Sequence, residues 1–271
     1  MEKADYLAVL RREASTLAQI ARQYTTVQVP RIPSCPAWNM TTLVLHVGRG
    51  QYFTAKRLRD RETPPAKPGQ EDLSYLKLPA EWLEWSKNNS APDDKPIPVE
   101  LVGWFEEGAA QLQAALSELD PETPVWNWMG SSQTKVETYL RQMPIETSIH
   151  RWDAQNASSD QKPEPLDAEL ARNGIDLLFS FLPLRRKYIK EPPGQGETYH
   201  FHRTDGEGEW LLRFEGADVT VTQEHAKGDV ALRGTASNLL LFLWGRIGAD
   251  QLEVFGNADL VKRYFELIPP M

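Results

Sequence analysis

The 271-residue chain contains a single cysteine, Cys35, so no disulfide can form within it. So little thiol fits a reducing compartment, and a cytoplasmic setting is expected. Long apolar runs are missing too. No stretch of about 18 apolar residues occurs, which excludes a membrane-spanning helix. Met1-Glu2-Lys3-Ala4-Asp5 leads straight into an amphipathic pattern without a signal peptide. Positive charge is in deficit: 30 Lys and Arg face 38 Asp and Glu, a net charge of -8. That balance argues against nonspecific nucleic-acid binding and against attraction to anionic membranes. There is no internal repeat and no low-complexity segment. The rest, 41% hydrophobic and 25% charged, is the composition of a soluble globular protein, long enough for one large domain or two ordinary ones.

Hydrophobic spacing predicts four long helices in the first half. Leu7, Leu10, Ala14, Leu17, Ala21 and Tyr24 recur in steps of three and four, giving a helix over about 4–24. A connector with three prolines follows and ends in Pro33-Ser34-Cys35-Pro36-Ala37-Trp38. Asn39 is a suitable N-cap for a second helix ending near Arg59, with Leu43, His46, Val47 and Gly50 on its apolar face. From Arg61 to Pro98 the chain carries seven prolines, a long excursion with room for a short helix around Ala80–Lys87. Leu101, Phe105, Gly108, Leu112, Ala115 and Leu119 mark the third long helix. Val125–Gly130 reads as an aromatic loop. The fourth long helix covers about 133–157, with Pro144 inside it removing one backbone bond and bending it. Together these predict an antiparallel four-helix bundle.

The texture changes after Ala157, and a domain boundary is expected in the polar stretch Ser158–Pro165. A helix over about 166–182 precedes strands at Thr198–Arg203, Glu209–Phe214, Val219–Gln223 and Asp229–Arg233. Thr235–Gly245 reads as helix, Leu252–Phe255 as strand and Ala258–Ile268 as helix. The fold class expected is therefore α+β in two domains, 1–160 and 161–271, the second with a meander-like sheet.

Chemistry concentrates in Glu146-Thr147-Ser148-Ile149-His150-Arg151-Trp152-Asp153. Glu146 and His150 lie four apart, one above the other on a helix. Tyr139, Met143 and Ala157 share their stripe, so both point inward, where each must find a partner: another side chain or a metal. If the bundle forms, His46 joins them. Two histidines and one carboxylate leave a coordination position open, which suits catalytic zinc and also fits nickel, iron or manganese. By spacing alone a Glu-x-x-x-His pair is common, as a surface pair or a satisfied core pair.

Pro33–Trp38, Leu43-Val44-Leu45-His46-Val47 and Glu146–Ala154 resemble the signature of the mycothiol-dependent maleylpyruvate isomerase family. So do Val230–Ala236, Leu243-Trp244-Gly245-Arg246 and Leu252–Gly256, so the resemblance spans nearly the whole chain. It implies a DinB-like metal-binding bundle followed by a sterol-carrier-like α+β domain. It places the metal ligands on His46, Glu146 and His150, with zinc the first choice of metal. It also implies a low-molecular-weight thiol such as mycothiol as cofactor, and isomerisation or S-transfer on a small electrophilic substrate. An arginine from the second domain near the metal, Arg246 first and Arg233 second, would bind a substrate carboxylate through its fork. A surface or structural salt bridge is the competing role for each. The rivals to this reading are a thiol-independent metallohydrolase and a non-catalytic metal- or ligand-binding protein. Pro144 and the long Arg61–Pro98 excursion depart from the family pattern.

Other residues have plainer expectations. Asp153 either orients an imidazole or pairs with Arg151. Cys35 is expected to be a small buried packing residue rather than a catalytic thiol, since no base or positive charge is visible beside it. Trp38, Trp104 and Trp152 are expected in the bundle core, with Trp126 and Trp128 as pocket-lining candidates. His200 and His202 share one strand face and could together bind a metal, but are expected to be exposed strand residues, and His225 to be a solvated loop residue. Arg185-Arg186-Lys187 reads as a solvated turn.

Overall fold

Asn39 starts the helix that carries His46: its side-chain oxygen accepts from the Thr42 backbone N–H at 2.9 Å, and α2 runs Met40–Arg59. The other first-half helices in the computed structural model are α1 (Lys3–Gln23), α3 (Ala80–Asn88), α4 (Val99–Glu118) and α5 (Val136–Ala157). The structure describes residues 1–61, 72–127, 133–158, 162–188 and 192–270. They divide into two units, Met1–Glu164 and Pro165–Met271. No helix of the described residues is long and apolar enough to cross a membrane.

In the first unit α1, α2, α4 and α5 enclose a core that includes Leu17, Ala21, Leu43, Val44, Leu101, Phe105 and Ala154. Side-chain pairs give the helix directions. Lys3 at the start of α1 donates to the Ser117 and Leu119 carbonyls at the end of α4, so these two run antiparallel. α2 and α5 are antiparallel as well, with His46 opposite Glu146 and Thr54 opposite Met143. In contrast α1 and α5 run parallel, as do α2 and α4. The Arg61–Pro98 excursion causes the second case by returning the chain before α4 begins. Its described part is not a free loop: Leu76 is buried and accepts from Trp104 Nε1, and Asn39 Nδ2 donates to the Ala91 carbonyl.

The α2–α4 contact depends on two glycines. A Cβ on Gly48 would lie 2.3 Å from Trp104, and one on Gly108 2.7 Å from Tyr52. Both rings need that space because they stack on each other at 5.0 Å. Gly50, expected on the apolar face, has open space around it instead. We expect Gly48→Ala to lower stability by roughly 1–3 kcal/mol through overpacking, read as a lower urea midpoint. Gly50→Ala should be neutral or slightly stabilising.

Two elements differ from expectation near α5. The expected aromatic loop contributes a strand, β1 (Pro124–Trp126), paired antiparallel with β2 (Gln133–Lys135), so α5 starts at Val136. Trp128 lies outside the described residues. α5 continues through buried Pro144.

In the second unit, α6 (Ala168–Tyr188) runs on through Pro183, so the basic Arg185–Arg186 pair is helical rather than a turn. Arg186 is buried and donates to the carbonyls of Leu267, Pro192 and Gly216. Five strands follow, β3 (Gly194–Arg203), β4 (Glu209–Gly216), β5 (Asp218–Thr222), β6 (Val230–Gly234) and β7 (Glu253–Gly256), with α7 (Ala236–Leu243) and α8 (Asp259–Leu267). The order across the sheet is β5-β4-β3-β6-β7. β3 to β5 form the expected meander, but β6 returns beside β3 in parallel. Tyr199, Phe201, Trp210, Leu212, Phe214 and Leu232 are buried on one sheet face, where Phe179 of α6 and Tyr264 of α8 meet the Tyr199 and Phe201 rings. Alternation sends His200, His202 and Glu209 to the opposite face.

Candidate metal centre in the helical unit

The antiparallel crossing of α2 and α5 brings His46, Glu146 and His150 together. Each offers a ligand atom, and these atoms all lie within 4.8 Å of one another. His46 Nε2 is 3.6 Å from Glu146 Oε1, and the two imidazole centroids are 5.0 Å apart at 75°. His150 is buried, whereas the His46 side chain is 36% exposed and that of Glu146 25%. The cluster thus has a packed floor and a solvent-facing side.

The charge states suit ligands. Burial lowers the pKa of His46 and outweighs the raising effect of Glu146, which keeps the imidazole neutral near pH 7. Burial would raise the Glu146 carboxyl, but His46 and His150 beside it hold it below the ordinary carboxylate value. A neutral imidazole and an ionised carboxylate are the forms that donate lone pairs.

Asp153 settles the orientation of His150. Its Oδ2 lies 2.9 Å from His150 Nδ1, and its Oδ1 accepts from Ser34 Oγ at 2.5 Å. A carboxylate only accepts, so Nδ1 carries the hydrogen and Nε2 keeps its lone pair. Of the two roles weighed for Asp153, orienting the imidazole is the one observed. Arg151 instead meets Glu13 on α1 at 2.6 Å. Removing such an orienting carboxylate commonly costs 10–100-fold in metal affinity. We expect Asp153→Ala to show a loss of about that size in a zinc titration, and Asp153→Asn a smaller one.

The proline-rich connector supplies more of the site than its spacing indicated. Ser34 holds Asp153, and the Trp38 ring lies 4.6 Å from the His46 centroid and 6.0 Å from that of His150. Trp38 therefore walls the cluster while packing partly against the core. Ser34 carried no signal of its own in the sequence. Cys35 is half-buried and packs against the same core. The two expected arginines both belong to the second unit. Arg233 lies on β6, paired with Glu253 at 3.3 Å and over the Phe255 ring. Arg246 follows α7, donating to the Trp244 carbonyl at 2.8 Å and lying over the Trp244 ring.

Comparison with known proteins covers both units. Residues 10–155 match the family model described as the mycothiol maleylpyruvate isomerase N-terminal domain, and residues 169–263 the MDMPI C-terminal domain. Among solved structures the chain is similar to that of the mycothiol-dependent maleylpyruvate isomerase. Identity is 15%, coverage 94% of this chain and 93% of that one, and the TM-score 0.61. A point mutant of that isomerase gives 16% identity at the same coverage and TM-score. At such identity the likeness is one of fold. No curated protein matches the sequence.

Proposed function

Because the chain belongs to the mycothiol maleylpyruvate isomerase family, we propose that it is a divalent-metal-dependent enzyme that activates a low-molecular-weight thiol of the mycothiol type. The reaction is isomerisation or S-transfer on a small electrophilic substrate. The observation that carries this reading is the convergence of His46, Glu146 and His150 from two helices.

In this proposal His46, Glu146 and His150 hold the ion, with zinc the first choice among divalent metals. Two imidazoles and one carboxylate do not complete a tetrahedral set, and the partial exposure of His46 and Glu146 leaves an approach for a small ligand. When bound, the dication lowers the pKa of a coordinated thiol, which makes that thiol a nucleophile at neutral pH. The protein's own contribution is to prepare the donors. Burial keeps His46 neutral, Asp153 fixes the His150 tautomer, and Ser34 holds Asp153. Trp38 covers the rings and limits water beside them. Arg246, then Arg233, is retained as the group for a substrate carboxylate, tested by the rise in KM on substitution with alanine.

The test replaces zinc with cobalt and titrates with a small thiol while the visible spectrum is recorded. Saturable growth of a sulfur-to-cobalt charge-transfer band is expected, absent in His150→Ala. Cobalt binding with no spectral response to thiol would overturn the thiol reading.

A further inference from the structure

A second cluster of ligand-type side chains lies in the sheet unit, and the proposed thiol chemistry makes no use of it. On the sheet face opposite α6 and α8, His200 and His202 of β3 sit beside Glu209 of β4. Strand register requires this, because Glu209 pairs directly with His202 and the face repeats every second residue. The loop after β5 adds His225. The Glu209 carboxylate lies 3.0 Å from His200 Nε2, 3.0 Å from His202 Nδ1 and 2.6 Å from His225 Nδ1.

We propose that His200, His202, Glu209 and His225 form a second divalent-metal site, suited to zinc. Each residue offers one ligand atom, and all four atoms lie within 4.8 Å of one another. The three imidazole centroids are 6.0, 5.6 and 6.2 Å apart. With zinc–nitrogen bonds of about 2.0–2.1 Å at tetrahedral angles, rings would be roughly 5 Å apart, so closure needs a contraction of about 1 Å. His225, with its side chain 79% exposed on a loop, can supply the contraction of its own two distances, and the half-buried His202 ring must turn toward buried His200 for the third.

The set offers what a divalent cation needs: one carboxylate faces three imidazoles, which together supply an oxygen and three nitrogens as lone-pair donors. A pocket lined by His200, His225, Lys227, Asp229 and Phe255 opens beside the cluster and gives an ion a path. Three nitrogens and one oxygen complete a tetrahedron, the pattern of a structural rather than a catalytic site. The bound ion would clamp the loop carrying His225 to the sheet.

Equilibrium dialysis of the full chain against zinc, with metal content measured per chain, tests this. The native protein is expected to hold two zinc ions and His202→Ala/His225→Ala one. The ion left in that variant should disappear on adding His150→Ala. A second readout needs no substitution: in the 15N-labelled native chain, zinc should shift the ring-nitrogen resonances of His200, His202 and His225. A single zinc that is lost with His150→Ala alone, or two that both survive His202→Ala/His225→Ala, would overturn the proposal, as would unmoved ring nitrogens. A single zinc lost with His202→Ala/His225→Ala would support it and count against the bundle site instead.

Discussion

His150→Ala is expected to weaken divalent-ion binding by the bundle more than about 100-fold. Loss of an orienting neighbour costs 10–100-fold, and the ligand itself counts for more. Two effects add at this position. The variant loses one of three donors, and it leaves the Asp153 carboxylate, which has no exposed surface, without its imidazole. A carboxylate left buried with fewer partners also destabilises the fold. The measurement is zinc titration of the bundle site beside an unfolding curve of the metal-free protein. His150→Gln, which keeps a polar group near Asp153, should recover part of the stability and none of the affinity. Equal affinity in native and His150→Ala proteins would remove His150 from the site. The sheet unit, which contains none of these residues, should keep its circular dichroism signal throughout.

Glu13→Ala is expected to destabilise the protein by about 3–5 kcal/mol, the range found when one partner of a buried ion pair is removed. Glu13 of α1 and Arg151 of α5 are both almost fully buried, and Arg151 Nε donates to Glu13 Oε2 at 2.6 Å. The same guanidinium donates to Gln155 Oε1 and to the Glu164 carbonyl, both at 2.7 Å. Losing Glu13 leaves a buried cation with only neutral acceptors among these contacts. Urea unfolding measures the effect, which should appear as a lower midpoint at unchanged slope. Glu13→Gln should cost less, since one hydrogen bond survives. A loss under about 1 kcal/mol, typical of an exposed pair, would show that the interaction is screened. Arg151 neighbours His150 in sequence but points elsewhere, since adjacent helical residues do not share a face. Glu13→Ala should therefore lower stability far more than it lowers zinc affinity.

These two expectations separate what sequence could specify from what it could not. The long helices follow from apolar spacing and end signals: Asn39 caps α2 as its residue type requires. Glu146 and His150 were legible as a pair because helical period alone puts positions four apart on one face. His46 was legible as their neighbour because it shares the apolar side of α2. Local rules did less well where a partner far along the chain decided the outcome. Pro183 does not end α6. Val125 was read as loop because its partner strand comes from residues several positions on. Asp153 had two plausible partners within three residues, and packing against Ser34 and His150 chose between them.

The sheet-face histidines show the same division. Alternation puts His200 and His202 on one face, and the sequence determines that much. It does not show that His200 is buried on this face, that Glu209 is paired opposite His202 or that a loop brings His225 to the same carboxylate. The expected exposure of His200 is corrected by its burial. Helix formation, strand alternation and net charge depend on neighbours in the chain, so the sequence by itself determined them. Register, helix direction and the meeting of ligand atoms depend on contacts between segments far apart in the chain. Only the tertiary structure decided those, because the free energy that selects them comes from packing whole surfaces together.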